Sequence, residues 1–149
     1  MPQPLTAEDR LDIQDLYARY AWALDTGDIE ELVNSFLPEG ALETSSGDRM
    51  EGRDKIRAWG NARFAAPHAA GSQHAACHLL IEGDGETCKV KAYWATLTYD
   101  QVDETKRSVG GIGYYRDTCA KRDGRWLFKE RIIRRWFGED LPWVSPRAA

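Results

Sequence analysis

The sequence has few cysteines, and their spacing excludes two classes of structural site. Cys77, Cys88 and Cys119 lie in three separate segments, and no two of them have the C-x-x-C spacing of a zinc or redox site. An odd number of separated cysteines argues against both a disulfide framework and a structural zinc site. We therefore expect all three side chains to be reduced thiols.

Long apolar runs and basic clusters are also missing. The first ten residues contain no apolar signal core, and no stretch is long enough to span a bilayer. The 20 Lys and Arg residues face 24 Asp and Glu residues, which gives a formal net charge of −4 without a basic patch. The sequence predicts a soluble, cytoplasmic protein that binds neither nucleic acid nor membrane.

The common catalytic and nucleotide-binding motifs are absent. The chain has no G-x-S-x-G nucleophile elbow, no phosphate-binding glycine loop between a strand and a helix, and no H-E-x-x-H metal motif. The glycines of Gly110-Gly-Ile-Gly113 run into a predicted strand, which is the wrong context for a dinucleotide loop. Nucleophilic and nucleotide-dependent chemistry are poorly supported, and we expect neither a cofactor nor a metal.

The first half of the chain has helical signals. Thr6-Ala-Glu-Asp9 has the form of a capping box, and an apolar stripe follows it as far as Leu24, where Thr26-Gly27-Asp28 predicts a stop. Asp28 can cap a shorter second helix whose apolar face reaches Phe36 and which Pro38 would end. A short strand over 41–44, a turn over 45–48 and a third helix over about 53–64 complete this half.

The second half is rich in β-branched and aromatic residues. It predicts strands over 74–82, 87–99, about 109–121 and 126–136, with turns at 83–85 and 122–125. Helices followed by a strand meander predict an α+β fold, in which the helices pack on one face of a curved, mostly antiparallel sheet. We expect one domain over 1–149 with a core of about 5–138 and an irregular tail. The 16 aromatic residues indicate either a well-filled core or an aromatic-lined pocket.

Strand alternation groups the side chains that could carry chemistry. It places His74, Ala76, His78 and Leu80 on one face, groups Gly111, Gly113 and Tyr115 on another strand, and groups Phe128, Glu130, Ile132 and Arg134 on the last. Inward glycines leave space that a ligand could occupy. The two histidines of the first group would stand roughly 13 Å apart at about 3.3 Å per residue, so a shared metal ion is not expected.

Asp25 closes the first apolar stripe and could project towards the sheet. A local turn or a cap for the next helix is the commoner explanation of an aspartate in this setting. His74 alone is likewise more often a core or edge residue than a catalyst, and His68 is expected in a solvent-facing loop. From the residues alone, a pair formed by Asp25 and His74 stays one alternative among these.

Several segments in order resemble the SnoaL-like family. They are Ala-Leu-Asp25-Thr-Gly-Asp28, Gln-His74-x-x-x-His78-Leu-Leu-Ile-Glu-Gly-Asp-Gly, Gly113-Tyr-Tyr-Arg-Asp117 and Arg122-Asp-Gly-Arg-Trp126. The resemblance covers about residues 5–138. It implies the cone-shaped fold of the superfamily of nuclear transport factor 2, ketosteroid isomerase and scytalone dehydratase, with helices and a curved sheet around a central pocket.

The resemblance also implies an acid–base site. In the cofactor-free lyases of this superfamily an Asp after the first helix orients a strand His that acts as base, and the matching residues here are Asp25 and His74. Tyr20, Arg134 and Tyr115 match further polar pocket positions. His78 stands where many members have Asn, and the second histidine of scytalone dehydratase has no clear match near Thr96 to Asp100.

The expected function is therefore a lyase of dehydratase type acting on a hydrophobic, aromatic or polycyclic hydroxylated substrate. Tyr20, Tyr115 and Arg134 would supply donors, and His78 would assist. The expected apolar walls are Trp22, Trp59, Trp94 and Trp136.

Several alternatives stay open. Within the enzyme class they are retro-aldol loss of formaldehyde, isomerisation and polyketide cyclisation. Outside it they are a non-catalytic β subunit of an aromatic-ring hydroxylating dioxygenase and a binding module without turnover. A homodimer or homotrimer through the sheet is expected, because open sheets leave a broad face and edges to cover.

Overall fold

The structure is a computed structural model that describes residues 3–66, 71–100, 102–103 and 105–138. Three helices are formed by Ala7–Thr26 (α1), Ile29–Asn34 (α2) and Arg53–Phe64 (α3). Six strands are formed by Phe36–Glu43 (β1), Arg49–Glu51 (β2), Gln73–Gly83 (β3), Thr87–Tyr99 (β4), Arg107–Arg122 (β5) and Arg125–Arg135 (β6). No helix among the described residues combines the length and the apolar character needed to cross a membrane.

The six strands form one sheet in the order β2-β1-β6-β5-β4-β3. All neighbouring strands are antiparallel except β1 and β6, which are parallel. The helices cover one face, and side chains of α1, α2 and α3 join those of the strands in one buried core. The predicted α+β fold, with helices on a curved and mostly antiparallel sheet, is confirmed.

Both ends of α1 are capped by the residues from which the ends were predicted. Thr6 and Asp9 form the reciprocal capping box, and Asp9 also accepts hydrogen bonds from Lys121 on β5 and Trp126 on β6. These donors hold the pKa of the Asp9 carboxyl well below its usual range. At the other end Gly27 adopts φ 76°, a left-handed conformation that glycine reaches without strain.

The prediction for the region around Pro38 is wrong. The helix α2 ends at Asn34, and Phe36 already belongs to β1, so Pro38 lies inside a strand. Proline is tolerated there because the pairing between β1 and β6 is interrupted between Phe36 and Ala41, where no ladder hydrogen bond is required of it. The short strand β2 was not predicted.

Two bulges overturn the predicted strand faces. In β3, Cys77 pairs with Tyr93 and Leu80 with Lys91, so two residues stand opposite one, and His78 takes a left-handed φ of 55°. Beyond the bulge the inward positions shift by one residue. Leu80 is therefore 60% exposed, and His78 does not share the face of His74.

The second bulge lies in β6 at Lys129. Thr118 pairs with Glu130 but Cys119 pairs with Phe128, so Lys129 is an extra residue on β6. Phe128 and Arg131 consequently both point into the core, and both are completely buried. The predicted grouping of Phe128 with Arg134 is wrong, because alternation is broken between them.

A buried ion pair in the core joins Asp117 on β5 to Arg131 on β6. Arg131 donates two hydrogen bonds to one Asp117 oxygen, at 3.1 and 2.7 Å, and Tyr17 donates to the same oxygen. The Arg131 guanidinium carbon lies 4.0 to 4.6 Å from four ring centroids, those of Tyr17, Tyr20, Tyr115 and Phe128. The fold therefore contains a desolvated cation enclosed by aromatic rings.

Candidate active site

A cavity of about 420 Å³ opens between the helices and the inward face of the sheet. Its walls come from the end of α1, from α3, from the loop between β1 and β2, and from strands β3 to β6. The lining is mixed: aromatic and aliphatic side chains alternate with hydroxyls, one carboxylate and two arginines. The lining residues include Tyr20, Trp59, Arg63, His74, Trp94, Tyr115 and Arg135.

Asp25 holds His74 at two points. Its Oδ1 lies 2.5 Å from the imidazole Nδ1, and its Oδ2 accepts the His74 backbone N–H at 2.8 Å. Because β3 is an edge strand, this backbone donor needs a partner outside the sheet, and the carboxylate supplies one. Both side chains are largely buried, 16% exposed for Asp25 and 11% for His74, so the pair is shielded from bulk water.

Arg63 contacts the other ring nitrogen of His74. Its Nη2 lies 3.2 Å from His74 Nε2, and a guanidinium can only donate, so Nε2 accepts. The proton of a neutral imidazole then resides on Nδ1, where it is donated to Asp25. Two hydrogen bonds thus connect the three side chains in series, from Arg63 to His74 and from His74 to Asp25.

The end of α3 is docked on the end of α1. A Cβ on Gly27 would lie 2.3 to 2.5 Å from the Phe64 ring, so Phe64 packs directly on the glycine that closes α1. Phe64 follows Arg63, and Gly27 follows Asp25 by two residues. This contact brings the guanidinium and the carboxylate to the same histidine from two different helices.

Two tyrosines lie between the cavity and the buried ion pair. Tyr20 and Tyr115 both line the cavity and both pack against the Arg131 guanidinium. Burial raises the pKa of each phenol above its ordinary value, although the positive charge of Arg131 opposes this shift. Both hydroxyls therefore keep their protons at neutral pH and can act as donors. Among the described residues, the Tyr20 hydroxyl has no hydrogen-bond partner.

Trp94 takes up the space left by the glycines of β5. A Cβ on Gly111 would lie 3.3 Å from the Trp94 ring, and one on Gly113 would lie 2.8 Å from it. The indole N–H donates to the backbone oxygens of Tyr114 and Arg134, at 3.2 and 3.1 Å. The predicted room at these glycines is thus partly filled by Trp94, which becomes a wall of the cavity.

The structure brings some of the predicted site residues to the cavity. Tyr20, Trp59, His74, Trp94 and Tyr115 line it, and Asp25 stands directly behind His74.

Other predicted site residues lie elsewhere. Arg134 points to the opposite face, where it pairs with Glu43. Trp136 stacks on Tyr93, which is itself flanked by the exposed His78, and Trp22 is 72% exposed. The prediction that Arg134 lies in the pocket is wrong, because the bulge at Lys129 turns its side chain to the other face of the sheet. His68 lies outside the described residues.

Two cavity arginines were missed from the sequence. Arg63 follows Trp59 by four residues on α3, a spacing that puts both on one helix face, and its guanidinium carbon lies 5.9 Å from the Trp59 ring centroid. That spacing could have identified it. Arg135 enters the cavity only because the bulge shifts β6 by one residue, and no sequence signal marks that bulge.

Metal-ligating side chains do not gather anywhere in the described part of the chain. No group of three or more His, Cys, Asp or Glu residues there is placed to hold an ion. His74 has both ring nitrogens engaged by protein groups.

The sequence matches a known family of protein domains. Residues 5–132 match the family model of the SnoaL-like domain, which is most of the sequence. The chain belongs to the SnoaL-like family. A search of the curated proteins found no match. The predicted family is thus confirmed, and residues 5–132 of this SnoaL-like domain include Asp25, Arg63 and His74.

Solved structures share the fold of this SnoaL-like domain. A Nostoc punctiforme protein of unknown function with a cystatin-like fold is 26% identical, with a TM-score of 0.79, over 95% of this chain and 100% of that one. A Novosphingobium aromaticivorans protein named as like nuclear transport factor 2 is 21% identical, with a TM-score of 0.79, over 89% and 84%. A candidate scytalone dehydratase from that organism is 22% identical, with a TM-score of 0.74, over 87% and 85%.

Proposed function

We propose that this protein is a cofactor-independent lyase of dehydratase type, with His74 as the base and Asp25 as its orienting carboxylate. The observation that carries the proposal is the two-point contact between Asp25 and His74 on the wall of the cavity. A carboxylate that fixes the tautomer and stabilises the imidazolium is the usual support of a histidine base. The substrate is a hydroxylated hydrophobic molecule of aromatic or polycyclic character, in keeping with walls formed by Trp59 and Trp94.

The proposed step is an elimination. His74 Nε2 removes a proton from a substrate carbon, and the electrons of that C–H bond form a carbon–carbon double bond while the neighbouring C–O bond breaks. The departing hydroxide takes the proton back from the imidazolium. Water and an alkene leave, and His74 returns to its neutral form. Asp25 stabilises the transient positive charge on the ring throughout.

Two neutral donors support the departing oxygen. The side chains of Tyr20 and Tyr115 both contribute to the wall of this cavity, and both phenols keep their protons because burial raises the pKa of each. The Tyr20 hydroxyl is buried and has no partner among the described residues, so it can donate to a substrate oxygen only if the substrate reaches past the cavity wall. Arg134 takes no part in this step, because it pairs with Glu43 on the opposite face of the sheet.

The test is turnover by the purified chain alone on a panel of hydroxylated aromatic and polycyclic compounds. His74→Ala should abolish turnover with an unchanged circular dichroism spectrum, and Asp25→Asn should lower kcat by about 10² to 10⁴. Asp15→Asn, an exposed carboxylate on the same helix as Asp25, is the matched control and should be fully active. Full activity of a folded His74→Ala variant would refute the proposal.

Product mass separates the related reactions that the same pair could perform. Loss of one water identifies dehydration, loss of formaldehyde identifies a retro-aldol step, and an unchanged mass identifies isomerisation or cyclisation. A chain without turnover that co-purifies with a larger iron-containing subunit would instead be a ring-hydroxylase β subunit.

We also propose that the protein forms a homo-oligomer through the outer face of the sheet. Several apolar side chains on this face are exposed although they lie in regular strands: Tyr93, Leu97, Val109 and Ile112. A second copy of the same face would cover them, as symmetric oligomers cover self-complementary patches.

A further inference from the structure

The base of the proposed reaction is blocked in the ligand-free protein. His74 Nε2 is the atom that must take the substrate proton, and it already accepts a hydrogen bond from Arg63 at 3.2 Å. A guanidinium has no lone pair and cannot relay a proton to the imidazole. Proton abstraction therefore requires Arg63 to leave this position first.

Protonation of His74 reinforces this requirement. Once Nε2 carries a proton it can no longer accept from Arg63, and two cations would face each other across the same short distance. Arg63 must therefore have another acceptor during the reaction. Among the described residues, no carboxylate lies within ion-pair distance of Arg63, so the protein itself offers none there.

Two of the three charged side chains that line the cavity are cations, and the Asp25 carboxylate lies behind His74 rather than in the lining. Arg63 and Arg135 both line it, and within the described part of the chain neither forms an ion pair. The single lining carboxylate, Asp48, accepts a hydrogen bond from Ser46 at 2.7 Å. The whole chain carries a formal charge of −4, yet the wall of the cavity presents two cations to a ligand.

We propose that the cavity takes an organic carboxylate, and that the carboxylate draws Arg63 away from His74 and thereby frees the base. The inference rests on the proposed function, since it needs His74 to be the base. A carboxylate can accept two parallel hydrogen bonds from a guanidinium, both charge-assisted, whereas the imidazole accepts one and is neutral. The exchange is therefore favourable, and binding and activation of the base become one event.

The stacking of Arg63 near Trp59 adds a preference for an aromatic acid. The guanidinium carbon is 5.9 Å from the Trp59 ring centroid, so a carboxylate that meets Arg63 brings its own ring system to the indole wall. Arg135 is the second cation, on the β6 side of the cavity, and it is exposed. It can attract an anion but does not touch His74.

The binding experiment uses two probes of the same shape, 2-naphthoate and 2-naphthamide, measured by calorimetry without turnover. The wild type should bind the carboxylate at least tenfold more tightly than the amide, and Arg63→Gln should lose this preference. Arg57→Gln, at a partly exposed arginine on the same helix that pairs with Glu30 and Asp54, is the matched control and should keep it. Equal binding of the two probes by the wild type, or no binding of either at millimolar concentration, would overturn the proposal.

A second readout follows His74 itself. With ¹⁵N-labelled histidine, naphthoate should shift the Nε2 resonance of the wild type towards that of a nitrogen without a donor, and ligand-free Arg63→Gln should already show this shift. A preference that survives in Arg63→Gln but disappears in Arg135→Gln would place the anion near Arg135 and refute the displacement of Arg63. Absence of turnover in the wild type would count against the lyase but would leave the naphthoate preference intact, so the two failures are distinguishable.

Discussion

Two tyrosines on one face of α1 have opposite hydrogen-bond states. The Tyr17 hydroxyl donates to Asp117 within the buried ion-pair cluster, whereas the Tyr20 hydroxyl, three residues later, has no partner in the described part of the chain. Both rings pack against Arg131, and burial raises the pKa of both phenols. A buried polar group without a partner costs stability, so the free hydroxyl of Tyr20 points to a role with substrate.

Phenylalanine substitutions should separate these two roles. Tyr17→Phe leaves Asp117 short of a donor and should lower the free energy of unfolding by about 1 to 3 kcal/mol, with little effect on kcat. Tyr20→Phe removes a buried, unpaired hydroxyl and should leave the free energy of unfolding equal to or above that of the wild type, yet lower kcat by about 10² if the hydroxyl supports the leaving oxygen. Urea denaturation and steady-state kinetics measure the two effects. A fully active Tyr20→Phe variant would exclude the donor role.

At the scale of elements, the sequence predicts what is set by local chemistry. The bounds of α1 follow from Thr6, Asp9 and Gly27, and the bounds of β4 are as predicted, because caps, turns and alternation are short-range signals. β-Bulges are not set by such short-range signals. The bulges at His78 and Lys129 depend on how β3 fits against β4 and how β6 fits against β5, and each reverses the faces of the residues beyond it in its strand.

This difference explains which site residues could be predicted. Tyr20 lies on a regular helix and His74 lies before the bulge in β3, and both line the cavity, where the family resemblance led us to expect them. The family resemblance placed Arg134 in the pocket and alternation grouped it with Phe128, but Arg134 lies beyond the Lys129 bulge, and its neighbour Arg135 is the residue that lines the cavity. The contact between Arg63 and His74 joins a helix to a strand, and no single-element pattern contains it.

The docking of α3 on α1 can be tested at Gly27. Alanine there must adopt a left-handed φ and must also displace the Phe64 ring, so Gly27→Ala should destabilise the protein by more than the roughly 1 to 2 kcal/mol of the backbone term. Gly124→Ala is the matched control, because its φ of 75° is nearly the same and no atom lies within 4 Å of its Cβ position. Thermal or urea denaturation of both variants isolates the Phe64 contact, and equal losses would mean that this contact contributes nothing.

At the scale of the whole molecule, the sheet has two unlike faces. The inner face holds the core and the cavity, whereas the outer face presents apolar side chains beside charged ones such as Lys89 and Arg116. Tyr93 and Trp136 stack on each other there at 6.0 Å, with 9° between their planes. A stacked aromatic pair on an exposed surface fits a contact with another protein surface.

The proposed oligomer can be tested at Ile112, which lies on the outer face and is 58% exposed. Light scattering should give the wild type two or three times the 16.9 kDa chain mass, and Ile112→Asp should give the mass of one chain because a buried carboxylate opposes association. Val102→Asp, at a site 98% exposed outside the strands, should associate like the wild type. A monomeric wild type would refute the oligomer.

The position of Trp94 gives the protein an optical property. Its indole ring is fixed by two backbone oxygens, is shielded from solvent except at the cavity, and lies against a wall that any bound ring system must approach. Its near-ultraviolet dichroism therefore arises from one rigid geometry, and a chromophore entering the cavity couples to it directly. Occupancy of the cavity should therefore change the near-ultraviolet dichroism of the unlabelled protein, on top of the signals of the other aromatic residues.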